Sequence, residues 1–297
     1  VMRWHNPLIV AMVSALGMMN TSAHADAISR IKETQTITIA HRESSHPFSY
    51  VGEDKKPQGY SIDICNRLVD AIKRELKLPK LNVNYVLVNP STRIAAISQH
   101  KADIECGSTT NNAERRAQVA FTIPHFFTST RMLVRSDSGV KNWPDLKDKK
   151  VVTTVNTTAL KLLEDRNKVR ALGVKVTTAN DHEQSFSMLE SFNVDAFAMD
   201  DVLLFGLRAN AKDPAKFAVV GDALATDALA MMVAKEDVAF KAMLDKEIAK
   251  MMIDGEVTRL YDKWFRKPIP PKGANLNMPM NLLLRETIRF PTDKVAD

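Results

Sequence analysis

Apolar positions along this chain follow two alternating rhythms, short stretches of period two and longer stretches near period 3.6, the pattern of strands alternating with helices. Residues 36–40 alternate Thr with Ile37 and Ile39, which predicts an opening strand. After a loop punctuated by Pro47, Gly52, Pro57 and Gly59, Cys65, Leu68, Val69, Ile72 and Leu76 recur at helical spacing over 61–78, with Lys73, Arg74 and Lys77 on the opposite side. A strand over 83–88, a short helix over 93–99 and a strand over 102–106 complete a first α/β unit.

The rhythm then restarts. Strands are predicted over 131–135, 151–155, 174–178, 196–199 and 217–220. Between them lie a short turn at 145–147 and helices over 159–169, 182–192 and 202–211. A last apolar strand over 228–234 leads into a long helical region, 238–265, which Pro268, Pro270 and Pro271 end. The alternation predicts an α/β layer protein with a mainly parallel sheet. Two such units of about 100 residues each, with no Ser/Gly linker, suit two lobes better than one core. The helical region after the second unit suggests a chain that returns to the first.

Composition narrows the class. An apolar share of 45% and only 10 Gly and 13 Pro in 297 residues exclude fibrous and low-complexity chains. Two cysteines exclude a disulfide scaffold and a multi-cysteine metal module. The net charge of +6 is modest and no Lys/Arg run concentrates it, so nucleic acid is not an expected partner. At the N-terminus, Arg3 and His5 precede an apolar stretch from Leu8 to Met19, and Ala23-His24-Ala25 supplies small residues around a cleavage point. That layout predicts a secretory signal peptide cut after Ala25, hence an exported chain in a compartment that permits disulfides. Whether Cys65 and Cys106 pair is left open, because sequence gives no geometry.

No catalytic template fits. There is no G-x-S-x-G elbow, P-loop or G-x-G-x-x-G, and His182-Glu183 lacks the second His of H-E-x-x-H. His41, Glu43 and His46 are close in sequence but sit in a loop that fixes no ligand spacing, so no metal site is assigned. Polar residues do gather where the predicted strands end. His41-Arg42-Glu43-Ser44-Ser45, Asn89 to Arg93, Gly107 to Thr110 leading to Arg115, Asn156-Thr157-Thr158, Asp181-His182 and Asp200 each follow a strand. Each alone reads as a helix cap or a surface charge. Together they lie where open α/β sheets bind ligands, outside the carboxyl ends of the strands. Three arginines, hydroxyls opening helices and one Asp suit a small anion that also carries an ammonium group.

These residues carry a resemblance. His41 to Ser45, Pro47-Phe48-Ser49-Tyr50, Gly59-Tyr60-Ser61, Glu105-Cys106-Gly107-Ser108-Thr109-Thr110-Asn111-Asn112 with Glu114-Arg115, Asp181-His182, Met199-Asp200-Asp201 and Lys263-Trp264-Phe265 resemble, in order, periplasmic glutamate/aspartate-binding proteins of ABC transporters. The likeness implies the two-lobed periplasmic binding protein type II fold, with ligand in the interlobe cleft. It divides the chain into a signal peptide (1–25), lobe 1 (26–131), lobe 2 (132–228), a return to lobe 1 (229–275) and a C-terminal tail (276–297). It implies that Arg115 holds the ligand α-carboxylate with Thr110 and Thr154, and that Ser108 and Asp200 hold the ammonium. Arg42, Arg93, Thr157 and His182 would surround the side-chain carboxylate. No cofactor or metal is implied. The partners would be L-glutamate or L-aspartate and the permease subunits of a transporter, served by a periplasmic monomer.

Two positions depart from that family's pattern. Pro90 stands where a Ser three residues before Arg93 is expected, and Asn156 where a Gly before Thr157 is expected. Both bear on glutamate against aspartate. Two other roles use the same architecture. One is an enzyme resembling cyclohexadienyl dehydratase, with Glu105 or Asp63 as its acid or base. The other is a sensor that presents a bound amino acid to a receptor.

Overall fold

The computed structural model describes residues 25–297. Apart from Ala25, the signal segment read from the sequence lies outside the described residues. The first half of the chain forms α1 (Ala27–Thr34), β1 (Thr36–His41), the short strands β2 (Ser44–Ser45), β3 (Ser49–Val51) and β4 (Pro57–Gln58), and α2 (Tyr60–Glu75). It continues through β5 (Asn82–Leu87), α3 (Arg93–Ser98), β6 (Ile104–Thr110), α4 (Ala113–Arg116), β7 (Val119–Phe121) and β8 (Phe126–Arg135). The second half forms β9 (Lys150–Thr154), α5 (Thr158–Arg170), β10 (Lys175–Ala179), α6 (His182–Glu190), β11 (Ala196–Asp200) and α7 (Asp201–Ala209). After it come β12 (Phe217–Ala234), α8 (Val238–Ile253), α9 (Glu256–Phe265) and α10 (Leu282–Arg289).

The main sheet runs β10-β9-β11-β8-β12-β6-β1-β5, with β7 pairing β12. Its two ends are parallel, as the helix-strand alternation requires. Its middle is not: β8 runs antiparallel to β11, and β12 antiparallel to β6, β7 and β8. The sheet is therefore mixed rather than mainly parallel. Each end is a lobe with helices on it, and the long strands β8 and β12 pass between them. The strand expected at 217–220 and that at 228–234 are one strand of 18 residues. Its register on β8 shifts twice between Val220 and Asp227, and Ala225 in that stretch has a φ of 56°. Bulges of this kind bend a strand and loosen its pairing, so the crossing between lobes is the pliable part of the sheet.

Burial follows the sheet order. β6 and β11 lie inside and are buried at every residue, whereas β5 at the edge has Val83 and Val86 half-buried and its other residues exposed. The helix α2 puts Ile64, Cys65, Leu68, Ala71 and Ile72 into the core, the period-3.6 stripe of the sequence. The long helical region breaks into α8 and α9 at Gly255, whose φ of 87° suits glycine.

Cys65 of α2 and Cys106 of β6 form a disulfide across a Cα–Cα distance of 6.5 Å, which closes the question the sequence left open. The bond encloses a loop of 41 residues. Loop-closure entropy for that length corresponds to about 4 kcal/mol. Replacing both cysteines by alanine is expected to lower the denaturant midpoint by an amount equivalent to about 2–4 kcal/mol, with the same fold by circular dichroism. An unchanged midpoint would show that the bond constrains little in the unfolded chain.

Candidate functional site

The carboxyl ends of β1, β6, β9 and β11 and the starts of α3, α4, α5, α6 and α7 converge on one small cavity between the lobes. It is nearly closed, with about 10 Å³ of free space, and is lined by Arg93, Ser108, Thr110, Arg115, Thr157, Thr158, His182, Met199, Asp200 and Leu203. A wider groove of about 550 Å³ opens beside it, past Ser91, Arg115, Asn156 and Thr157. Seven of the nine residues singled out from sequence face the cavity directly. Arg42 and Thr154 stand one layer behind.

Arg42 is fully buried at the end of β1. Its Nη2 donates to Asp181 Oδ1 at 2.8 Å, while Nε and Nη1 have no partner among the described residues. Asp181 caps α6, accepting the His182 backbone N–H at 2.7 Å, and also takes the Ser44 hydroxyl at 3.1 Å. The pair therefore ties the β1 end of the sheet to the β10 end. Gly206 of α7 permits a second close approach, since a Cβ there would lie 2.4 Å from the carbonyl oxygen of His46. In the sequence Asp181 stood among the polar strand-end residues without an assigned role; its ion pair depends on a partner 139 residues away.

Thr154 bonds His182 Nδ1 at 2.9 Å and shares a bond with Ser185. It orients the imidazole rather than lining the cavity. Burial, with Arg42 adding repulsion, pushes His182 down to about 3, so the ring is neutral at physiological pH. Thr157 caps α5, accepting the Leu160 N–H, and donates to the Thr154 carbonyl at 2.7 Å. Asn156 takes the left-handed conformation, φ 56°, that a Gly would adopt. Its side-chain amide donates to Ser91 Oγ at 2.8 Å and its carbonyl accepts from Arg115 Nη2. The hydroxyl next to Pro90 is thus engaged with Asn156 across the groove.

Arg93 opens α3, is 3% exposed, and makes no ion pair among the described residues; its Nε has no hydrogen-bond partner. Burial and the repulsion of Arg115 and Arg42 hold its pKa well below the usual value. Arg115 donates to the Thr110 carbonyl at 2.9 Å and likewise has no carboxylate within ion-pairing distance among the described residues. Asp200 ends β11, and its carboxylate has no hydrogen bond or ion pair there either. Burial, with Asp227 and Asp201 adding repulsion, pushes it up to about 8. Capping of α7 falls to Asp201, whose Oδ1 accepts the Val202 N–H at 2.7 Å. Ser108 Oγ donates to Ser45 Oγ at 3.2 Å. Thr110 and Thr158 both donate to Asp227, a residue of the pliable stretch of β12. Thr158 gave no signal in sequence beyond its place in a hydroxyl run.

The residues weighed for other chemistry are occupied elsewhere. Asp63 accepts from Lys263 Nζ at 2.6 Å and Trp264 Nε1 at 2.7 Å, away from the cavity lining. His46 stacks on Tyr50, and His41 meets the edge of Tyr85. Among the described residues no group of His, Cys, Asp and Glu is arranged to hold a metal ion.

A polar cavity enclosed between two lobes, its charges directed inward and joined by two crossing strands, defines a solute-binding protein. The chain belongs to the bacterial extracellular solute-binding proteins, family 3, whose profile matches residues 37–267. It is 46% identical over 295 residues to the L-glutamate/L-aspartate-binding protein of Pseudomonas aeruginosa, an alignment covering 98% of this chain and 97% of the relative. It is 38% identical over 292 residues to the glutamate/aspartate import solute-binding protein of Escherichia coli, covering 98% and 97%. Among solved structures it resembles the cysteine-binding protein from Campylobacter jejuni, with a TM-score of 0.70 and 27% identity over 81% of this chain and 93% of that one. An ABC uptake transporter substrate binding protein from Streptococcus pneumoniae with bound histidine matches at a TM-score of 0.74, over 83% of this chain and 98% of that one. At 18% identity that likeness is one of fold.

Proposed function

We propose that the chain binds L-glutamate or L-aspartate in the interlobe cavity and delivers it to the membrane subunits of an ABC importer, acting in the periplasm as a monomer and not as an enzyme. The observation that carries this reading is the unpaired set: two buried guanidinium groups, Arg93 and Arg115, and one buried carboxylate, Asp200, share a cavity with no ion pair among them. That is the complement of a ligand with two carboxylates and one ammonium. Arg115 with Thr110 takes the α-carboxylate, and Asp200 with Ser108 the ammonium. Arg93, Thr157 and neutral His182 take the side-chain carboxylate, with Arg42 and Thr154 supporting from behind. The planar fork of Arg suits each carboxylate with two parallel hydrogen bonds.

Lobe 1 is proposed to comprise 26–131 and 229–275 and lobe 2 132–228, with 276–297 a C-terminal extension that includes α10. Ligand bridging the lobes favours the closed form because Arg93, Arg115 and Ser108 come from one lobe and Thr157, His182 and Asp200 from the other. The dehydratase-like alternative needs an acid or base facing the ligand, and Asp63 lies outside the cavity lining. Calorimetry of the ligand-stripped protein against the common amino acids tests the reading. Acidic amino acids are expected to bind at one site with micromolar affinity or better, roughly −8 kcal/mol. A flat trace with both acids, and heat with a neutral or basic amino acid, would overturn it.

A further inference from the structure

Glu105 takes no part in the roles above, although it lies in β6 beside the cavity and is fully buried. Alternate residues of a strand share a face, so Glu105, Gly107 and Thr109 point the same way. Thr109 Oγ1 donates to Glu105 Oε1 at 3.0 Å, while Oε2 has no partner among the described residues. Gly107 supplies the room: a Cβ there would lie 2.2 Å from Glu105 Oε1 and 3.2 Å from Cγ of Arg42. The carboxyl group and the Arg42 stem therefore share one hollow. The charged groups acting on Glu105 are Arg42 at the end of β1, Arg93 on α3 and Arg115 on α4.

We propose that Glu105 takes up a proton when the cleft closes on an acidic amino acid, and that it thereby fits the charge of the pocket to a ligand with two carboxylates. The proposal rests on the reading of the cleft given above. On the open lobe, Glu105 faces three arginines and is ionised as their counter-charge. Closure brings Asp181 and Asp200 from the other lobe, and the ligand adds a net charge of −1. Three positive charges then meet three negative ones before Glu105 is counted, and half-buried Asp227 adds a further negative charge beside Thr110. An ionised Glu105 would be surplus, with one oxygen buried and unpartnered, a costly state in a low-dielectric site. A proton on Oε2 removes that cost and leaves Oε1 to accept from Thr109. Burial already raises this carboxyl above the usual range against the pull of the three arginines. The sign follows: Glu105 makes glutamate affinity fall as pH rises above its open-state pKa, because each binding event must then draw a proton from solution.

Calorimetry of the full chain with L-glutamate, in two buffers of different ionisation enthalpy at neutral pH, counts that proton. Wild type is expected to take up roughly one proton more per ligand than Glu105→Gln, whose affinity stays within about tenfold of wild type. Infrared difference spectra of the wild type provide a second measurement that does not depend on the variant folding. A protonated carboxyl C=O band is expected to grow in with glutamate, at a frequency distinct from the band that Asp200 loses as it ionises against the ligand ammonium. Equal proton counts in the two proteins, or no such band in the wild type, would overturn the proposal while leaving glutamate binding in place. Absence of glutamate binding to the wild type would overturn the reading beneath it, and the proposal with it.

Discussion

Asp200→Asn is expected to lose affinity for the acidic amino acid by on the order of 10²–10⁴-fold and, without ligand, to melt higher than the wild type at neutral pH. The first effect is the cost of stranding a buried ammonium without its counter-charge, about 3–5 kcal/mol. The second comes from the carboxylate itself. Asp200 is pushed up to about 8 in the folded protein, mainly by burial. An unfolded Asp titrates near 3.9. Below about pH 4 both states hold the proton and Asp200 costs nothing. Between about 4 and 8 the folded state retains a proton that the unfolded chain has released, so stability falls as pH rises and levels off above 8. Asn has no charge to bury and follows no such slope. Opening of the cleft lets water back to Asp200 and reduces the gain to on the order of 1 kcal/mol, or roughly 2–4 °C. Melts at pH 4.5 and pH 8, with and without glutamate, check both parts. The variant should gain on the wild type only at the higher pH, and glutamate should raise the melting temperature of the wild type alone. Equal melts at both pH values with near-normal binding would make Asp200 an ordinary strand-end residue. Loss of a helix cap would not imitate the prediction, since Asp201 caps α7.

The alternation of elements was legible because each core stripe, such as Cys65, Leu68 and Ile72 on α2, repeats within one element. The direction of strands was not. β8 and β12 run against their neighbours, and nothing in the run Met132-Leu133-Val134 says which way its partner points. The middle of β12 escaped notice because Gly221, Asp222, Thr226 and Asp227 are polar or flexible and largely solvent-facing, so the pattern breaks where the hydrogen-bonded strand does not. β6 runs on past Cys106 for a related reason. Gly107-Ser108-Thr109-Thr110 has turn-like composition, yet β12 pairs with Thr109 and Thr110. The short helix α10 was hidden in a segment read as a tail, with Leu284 buried among exposed neighbours.

The candidate site was legible through its position at strand ends more than through any spacing. What sequence could not supply was depth. Arg42 and Arg93 look alike on the page, but one is held by Asp181 and the other faces the cavity unpaired. Glu105 looked like a candidate catalytic acid, and only the fold shows it wedged over Gly107 beneath the arginines.

That difference between the two arginines yields the sharpest expected result. Arg93→Met should reduce the preference for glutamate over glutamine from about 10⁴-fold to near parity, chiefly by weakening glutamate. In the wild type, closing the lobes over glutamine buries the Arg93 charge against a neutral amide whose NH₂ is itself a donor. An ion buried without a partner costs several kcal/mol, which the glutamate carboxylate relieves. Methionine carries no charge to satisfy, so the variant no longer distinguishes carboxylate from amide by that term. The ligand-free variant should also be the more stable protein, because Arg93 is held charged against both burial and the repulsion of Arg115 and Arg42. Arg115→Met is the control. It faces the α-carboxylate common to both ligands, so both should weaken together and the ratio should hold. Calorimetry of the two variants with the two ligands reads all four affinities. If Arg93→Met kept the parental ratio, Arg42 would have to be the group that reads the side chain, and its bond to Asp181 would have to open on binding.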